Sequence, residues 1–139
     1  MNDSATENQA RILIVQHDPV LLGLVSGSLR PDGHHIIETS SPMDALNLSG
    51  DDYQKIDLVV TAVNCRPITG IEFAKRLIRR GIDVPMLFMS ASHSLAGVIA
   101  GSLGQSAIIE EPFTGAELRS CVKRCLAGQR RKSRRDIAS

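Results

Sequence analysis

The stretch DLVVTAVNCRPITG, residues 57–70, decides the fold. Its first half is a β-branched apolar run, typical of a strand covered on both faces, and its second half is a turn rich in proline and glycine. In open parallel sheets, the groups that act on a ligand lie just beyond the carboxyl ends of the strands. The residue that closes this strand, Ala62, is therefore expected to face any functional site. Alanine has no nucleophile, exchangeable proton or metal-binding atom, so we expect no covalent chemistry at this position.

Similar short apolar runs occur on both sides of this stretch, and helix signals separate them. The runs predict five strands, over Arg11–Val15, His34–Glu38, about Ile56–Val60, Val84–Met89 and Ala107–Ile109. Capping residues, prolines at first helical positions and apolar stripes predict five helices, over Pro19–Leu29, Pro42–Leu48, Gly70–Arg80, Leu95–Leu103 and Thr114–Leu126. We expect Gly50–Asp52 to break the second helix. Such alternation predicts a doubly wound parallel sheet with right-handed crossovers, and we expect the flavodoxin-like (βα)5 strand order 2-1-3-4-5.

Length and composition indicate one domain with an aliphatic core. The chain has 139 residues, of which 42% are hydrophobic and only 3% aromatic, with no tryptophan. No apolar run approaches the roughly 20 residues needed to cross a bilayer, and the N-terminus is polar and acidic, unlike a signal peptide. We therefore expect a cytoplasmic protein. The three cysteines have no spacing that suggests a disulfide or zinc site, and we interpret Cys121 and Cys125 as small apolar residues on the inner face of the last helix.

Charge is unevenly distributed along the chain. The net charge is +1, yet five of the sixteen basic residues fall in the last ten positions, beside a single acid, Asp136. We therefore divide the chain into a flexible N-terminus at 1–10, a domain at 11–127 and a basic disordered tail at 128–139. A basic run can bind nucleic acid by counterion release. This tail has no aromatic residue to stack on bases, so nucleic-acid binding is an alternative and not the preferred function.

Several landmarks in fixed order resemble the receiver domain of two-component response regulators, over about Arg11–Leu126. They are Ile12–Val15 with Asp18–Pro19 close behind, Asp57–Val60 with Gly70 thirteen positions after Asp57, Pro85 followed by Ser90–Ala91, Gly104, and Pro112–Phe113. Each landmark alone is a weak signal, but their shared order and spacing identify the family.

The resemblance implies a set of functional positions. Receivers use an acidic pair after strand 1 to hold magnesium, an aspartate at the end of strand 3 to accept a phosphoryl group, a hydroxyl after strand 4 and a lysine after strand 5. Phosphoryl transfer needs these groups because it depends on positioning and charge neutralisation. Matched position by position, the acidic pair becomes Gln16 and His17, the acceptor Ala62, the hydroxyl Ser90 and the lysine Glu111. Only Ser90 retains the family's chemistry.

Other features of the resemblance agree with these losses. The aromatic switch residue on strand 5 is replaced by Ile108. Pro67 lies one residue later than the family's proline, but shifting the alignment would place Thr61 or Val63 at the acceptor position, and neither is a carboxylate. Asp57 begins its strand, so it is expected at the opposite end of the sheet. We expect no catalytic residue, no metal site and no magnesium.

The preferred function is that of a single-domain pseudo-receiver: a non-enzymatic, phosphorylation-independent member of two-component signalling that acts through protein–protein contact. Its partners would be a histidine kinase or another response regulator, with a homodimer through the last helix as a further option, and no membrane contact is expected. A conventional phosphorylated receiver that uses a non-standard aspartate stays open as an alternative.

The altered pocket suggests one further hypothesis. The resemblance implies that His17 and Glu111 approach each other across neighbouring strand ends, with Gln16 and Ser90 as hydrogen-bonding partners. Because histidine titrates near neutral pH and a nearby carboxylate raises its pKa, such a pair could lock one conformation in a pH-dependent way. The simpler interpretation is that these are ordinary polar residues filling an abandoned site.

Overall fold

A five-stranded parallel sheet lies at the centre of the molecule, in the order β2-β1-β3-β4-β5. The computed structural model describes residues 9–91 and 103–138, with the backbone alone for 129–138. All four strand pairs are parallel. The flavodoxin-like order predicted from the sequence is confirmed. The strands are β1 (Arg11–Val15), β2 (His35–Thr39), β3 (Leu58–Ala62), β4 (Met86–Ala91) and β5 (Ser106–Glu111).

The central strand, β3, is buried along its whole length. In the sheet register, Thr61 pairs with Val15 of β1, and Ala62 pairs with Met89 of β4. The carboxyl ends of β1, β3 and β4 therefore meet at one edge of the sheet. Ala62 lies at the middle of that edge, where the sequence placed it.

Helices connect the strands and cover the sheet. Within the described residues they are α1 (Pro19–Leu29), α2 (Pro42–Leu46), α3 (Gly50–Gln54), α4 (Gly70–Arg79) and α5 (Gly115–Ala138), with a 3₁₀ turn at Arg30–Asp32. Side-chain caps begin each of the first four: Asp18, Ser41, Ser49 and Thr69 each accept a backbone N–H from the first turn that follows. Most of the helix predicted over Leu95–Leu103 lies outside the described residues.

The short helix α3 was not predicted. We expected Gly50–Asp52 to break the second helix, and α2 does end before them, at Leu46, but these residues begin a new helix. Ser49 and Asp52 form a capping box: the Ser49 hydroxyl accepts from the Asp52 N–H at 3.0 Å, and the Asp52 carboxylate accepts from the Ser49 N–H at 3.0 Å. The backbone hydrogen bond from Ser49 lowers the pKa of Asp52 below its ordinary value. These reciprocal bonds satisfy the first N–H groups and start a helical turn in spite of the glycine.

The last helix also differs from the prediction. The sequence assigned residues 128–139 to a disordered tail, whereas α5 continues through Ala138. A helix that is already nucleated extends at little cost, and arginine, lysine, alanine and glutamine are good helix formers. The capping box predicted at its start is present, because the Thr114 N–H donates to Glu117 Oε1 at 2.9 Å and the Glu117 N–H donates to Thr114 Oγ1 at 3.1 Å.

The apolar core consists of two layers, one on each face of the sheet. Alternate residues of β1 and β3 point to opposite faces, so Ile14 and Val60 belong to one layer while Leu13 and Val59 belong to the other. The first layer packs against α1 and α5, and the second against α2, α3 and α4. In the part of the chain that the structure describes, no helix is long and apolar enough to span a bilayer.

Candidate functional site at the carboxyl edge of the sheet

Ala62 forms the tip of β3, and both its side chain and its carbonyl are engaged within the protein. The residue is 4% exposed, and its methyl group belongs to the first core layer, together with Cys65 and Met89. Its carbonyl oxygen accepts from Thr61 Oγ1 at 3.1 Å and from Cys65 Sγ at 3.4 Å. The position that the resemblance matches to the receivers' reactive carboxylate is therefore apolar and packed.

The turn after β3 folds back onto this tip. The Gly70 N–H donates to the Val63 carbonyl at 2.9 Å, and Gly70 packs directly on the backbone of Ala62. A Cβ atom at residue 70 would overlap the Ala62 carbonyl oxygen, so only glycine fits there. The sequence identified Gly70 as a family landmark, and the close backbone approach supplies the physical reason for it.

Gln16 and Asp18 use their oxygens to shape the loop after β1. Gln16 is 2% exposed; its N–H donates to the Thr39 carbonyl at 3.0 Å, and its Oε1 accepts from the Asp18 N–H at 3.1 Å. Asp18 Oδ1 in turn accepts from the Val20 N–H at 2.9 Å, which caps α1. Between them, His17 is exposed. The one carboxylate in this loop is therefore a helix cap, as the sequence predicted.

Ser90 and Glu111 lie at the ends of the next two strands. Ser90 is 3% exposed, and its hydroxyl donates to the Ala91 carbonyl at 3.2 Å. The β4–β5 register pairs Ser90 with Glu110 and Ala91 with Glu111. Ile108 also lies on β5, where it is half-buried against the second core layer. The retained hydroxyl thus sits at the carboxyl edge, as expected, but its hydrogen bond is to its own strand.

The structure does not bring His17 and Glu111 together, so the prediction that they approach each other was wrong. β3 and β4 lie between β1 and β5, and three strand spacings separate the two strands by about 14 Å. Across residues 9–91 and 103–128, no ion pair joins these two side chains. The strand order, which the sequence itself predicted, is the reason: β1 and β5 are not neighbours.

The donor set at this edge does not fit a magnesium ion. Mg²⁺ requires hard oxygen ligands in near-octahedral geometry, usually with carboxylates among them. Here the oxygens of Gln16 and Asp18 accept backbone N–H groups, and Ala62 offers only a carbonyl that already accepts two bonds. Among the described side chains, no group of three or more His, Cys, Asp or Glu residues is arranged to hold a metal.

Cys65 is the residue at this edge that sequence reasoning missed. The cysteine spacing indicated only that no disulfide or zinc site was expected. The structure places the Cys65 thiol against the Ala62 carbonyl and leaves the residue 5% exposed. Burial raises the pKa of this thiol above its ordinary value. The neutral thiol therefore dominates near pH 7, and Cys65 is a packing residue there and not a nucleophile. Its place three residues after the strand end was the available signal.

Comparisons with known proteins identify relatives of the chain. By sequence, the chain is 29% identical over 135 residues to the alkaline phosphatase synthesis transcriptional regulatory protein SphR of Synechococcus elongatus, covering 91% of this chain and 51% of the relative. It is 30% identical over 125 residues to the nisin biosynthesis regulatory protein NisR of Lactococcus lactis, covering 89% and 52%. The chain therefore spans about half the length of these curated relatives.

Solved structures show the same fold. NtrX from Brucella abortus superposes with a TM-score of 0.84 at 21% identity, over 94% of this chain and 30% of that one. A chemotaxis response regulator of Vibrio cholerae superposes with a TM-score of 0.70 at 23% identity, over 85% and 99%. Residues 12–123 match the response regulator receiver domain family. This chain is a member of that family.

Proposed function

We propose that this chain is a pseudo-receiver: a receiver domain of two-component signalling that works without phosphorylation and acts through protein–protein contact. One observation supports this above all, which is the packed Ala62 at the tip of the central strand. Phosphoryl transfer to a receiver needs a carboxylate placed in line with the donor and a cation to neutralise charge. At the matched acceptor position Ala62 supplies no carboxylate, and the Gln16 and Asp18 oxygens after β1 accept backbone N–H groups.

No nearby residue substitutes for the acceptor. Asp57 flanks the same strand, but at its amino end, about 16 Å from the tip, and its Oδ2 accepts from the Arg11 N–H at 2.8 Å. At the tip, the Cys65 thiol and the Ser90 hydroxyl donate to backbone carbonyls. At the edge itself, the aspartate of the loop after β1 is Asp18, and its Oδ1 already accepts from the Val20 N–H as the cap of α1. Asp57 and Asp18 therefore both have structural roles, which weighs against the alternative of a conventional receiver with a non-standard acceptor.

Partners follow from the family's role in signalling. With its carboxyl edge closed by internal hydrogen bonds, the domain would hold one conformation and present it to a histidine kinase or to another response regulator. It could also compete with a phosphorylatable receiver for the same kinase. A homodimer through the last helix, α5, is a further option that the family resemblance supports.

The phosphorylation test is direct. The 139-residue chain is incubated with a small phosphodonor and magnesium, and its intact mass is measured, with a receiver that carries the acceptor aspartate as the positive control. We expect no mass gain in the wild type or in Asp57→Asn while the control gains one phosphoryl group. A stoichiometric gain in the wild type overturns the proposal, and its loss in Asp57→Asn would identify the acceptor.

The contact half of the proposal has its own test. The chain is immobilised and exposed to purified histidine kinases and receivers of one organism, with and without phosphodonor. We expect capture of at least one such protein, to the same extent under both conditions. Capture that depends on the phosphodonor contradicts phosphorylation-independent action.

A second candidate function rests on the charge of α5. Five basic residues lie in the last ten positions, and the helix continues through Ala138. A basic helix can bind duplex DNA by counterion release, with an affinity that falls steeply as salt rises. Binding that is lost on deletion of residues 129–139 would support this candidate, and binding that survives the deletion would remove it.

A further inference from the structure

The outward face of α1 lacks the polar residues that a surface helix normally presents to solvent. None of the eleven residues in Pro19–Leu29 is charged. Five of them are exposed, and all five are apolar or glycine: Pro19, Val20, Gly23, Leu24 and Gly27. Val20 is 81% exposed and Leu24 is 49% exposed. A helix that is apolar on every side is usually covered on every side.

These five residues form one continuous surface, which we call the α1 face. At about 100° per residue, they lie within an arc of about 140°. The buried residues Val25, Ser26 and Leu29 lie on the other side of the helix, where α1 packs on the sheet and α5. The α1 face therefore belongs to no contact that the core needs.

The face consists of two projections and two hollows. Val20 and Leu24 project, one helical turn apart. Gly23 and Gly27, also one turn apart, are open: a Cβ atom at either position would meet nothing within 4 Å. No described part of the chain fills these hollows, and a helix that packs on glycine can approach closely.

We propose that the α1 face pairs with the α1 face of a second copy of this chain, in an antiparallel arrangement about a two-fold axis. An axis that passes between Gly23 and Leu24 places each residue n opposite residue 47 − n. Val20 then faces Gly27 of the other copy, while the two Leu24 side chains lie on the same side of the axis and meet each other. One axis seats each Val20 in the Gly27 hollow of the other copy and joins the two Leu24 side chains, which makes the face complementary to itself, as an isologous dimer requires.

Charge supports a second copy as the occupant. The uncharged face brings no like charges together when it pairs with itself. At the margin of the face, Arg30 already pairs with Glu38 of its own chain at 3.5 Å, so its charge is balanced before any pairing. In the antiparallel arrangement the two helix dipoles also run in opposite directions, which is favourable.

The pairing is expected to be weak and concentration-dependent. One eleven-residue helix is about 16 Å long and buries less than the roughly 800 Å² per partner of a standard stable interface. This dimer uses α1 and not the α5 surface considered above, and it does not depend on whether the protein is phosphorylated.

The test is sedimentation velocity on the full chain from about 5 μM to about 1 mM. The wild-type sedimentation coefficient should rise toward that of a dimer as concentration increases. The two Leu24 side chains lie beside the axis, so Leu24→Glu and Leu24→Lys should each weaken association at least about tenfold through like-charge repulsion. An equimolar mixture of the two variants should restore association, because opposite charges then face each other.

Ile78→Glu is the matched control. Ile78 is 50% exposed, on α4, on the opposite side of the sheet, so this variant should associate like the wild type. Circular dichroism verifies folding, and Val20→Glu repeats the test if a Leu24 variant does not fold. A wild type that stays monomeric, equal loss in Ile78→Glu, or a mixture that does not recover would each overturn the proposal. If the wild type stays monomeric, the α1 face would instead be expected to bind a different protein.

Discussion

The two ends of the central strand β3 differ in their side-chain chemistry and in their structural role. At its amino end, Asp57 holds the neighbouring strand in place, with its carboxylate on the Arg11 N–H. At its carboxyl end, Ala62 contributes only packing and a carbonyl that accepts two internal hydrogen bonds. The chain thus places a charged side chain at the end of β3 where it stabilises the sheet, and an apolar one at the other end. The receiver fold therefore forms here without a carboxylate at the tip of its central strand.

The turn at the carboxyl end gives the largest expected effect. Gly70→Ala would force a Cβ atom into the Ala62 carbonyl, and we expect it to lower the free energy of unfolding by about 3 kcal/mol. Urea denaturation measures this. Gly128→Ala is the control, because that glycine lies in α5 with open space around it and should gain about 0.5–1 kcal/mol. Equal effects of the two variants would contradict the close backbone approach.

The amino end gives the next largest effect. Asp57→Ala removes the acceptor for the Arg11 N–H and should cost about 1 kcal/mol, while Asp57→Asn keeps an oxygen acceptor and should cost less. The same denaturation measurement applies. If Asp57→Ala left stability unchanged, the carboxylate would have no structural role, and the contrast between the two ends of β3 would fail.

Cys65 provides a pH-dependent test of the packed carboxyl end. Burial raises its pKa in the folded state above 9.0, so the folded state retains the proton more firmly than the unfolded chain. Its stabilising contribution is fully present below pH 9.0 and is lost as the pH rises through the folded-state value. We expect the free energy of unfolding to fall above pH 9.0, and to fall less steeply in Cys65→Ala.

Cys125 is a useful comparison for that experiment, because burial raises its pKa too. Cys125→Ala should also reduce the alkaline loss of stability, but without changing any hydrogen bond at the tip of β3. An unchanged alkaline slope in Cys65→Ala would argue that its thiol is solvated and not packed on Ala62.

The smallest expected effect concerns the start of α5, beside the carboxyl end of β5. Backbone hydrogen bonding from Thr114 lowers the pKa of Glu117 below 4.5 in the folded state. Its contribution is therefore present above pH 4.5 and is lost as the pH falls through the folded-state value. Acid denaturation of Glu117→Gln should show a shallower loss of stability than the wild type. An identical acid slope would mean that the capping box does not persist in solution.

Much of the fold could be predicted because its signals are local. The apolar run of β1, the Asp18 cap and the Gly70 turn depend on residues adjacent in the chain, and each is found where the pattern indicated. Two local features were nevertheless misinterpreted. The residues of the Ser49 capping box were interpreted as a helix break, and the residues that extend α5 were interpreted as disordered, although the signals for both lie in adjacent residues.

The sequence by itself determined the parallel sheet, its strand order and the identity of the residue at each strand end, because hydrophobic periodicity and capping act over a few residues. Only the tertiary structure decided which of those ends meet. It separated His17 from Glu111 by two strands, brought the Cys65 thiol onto the Ala62 carbonyl and left the α1 face uncovered. Such relations depend on how distant segments pack, and no spacing along the chain records them.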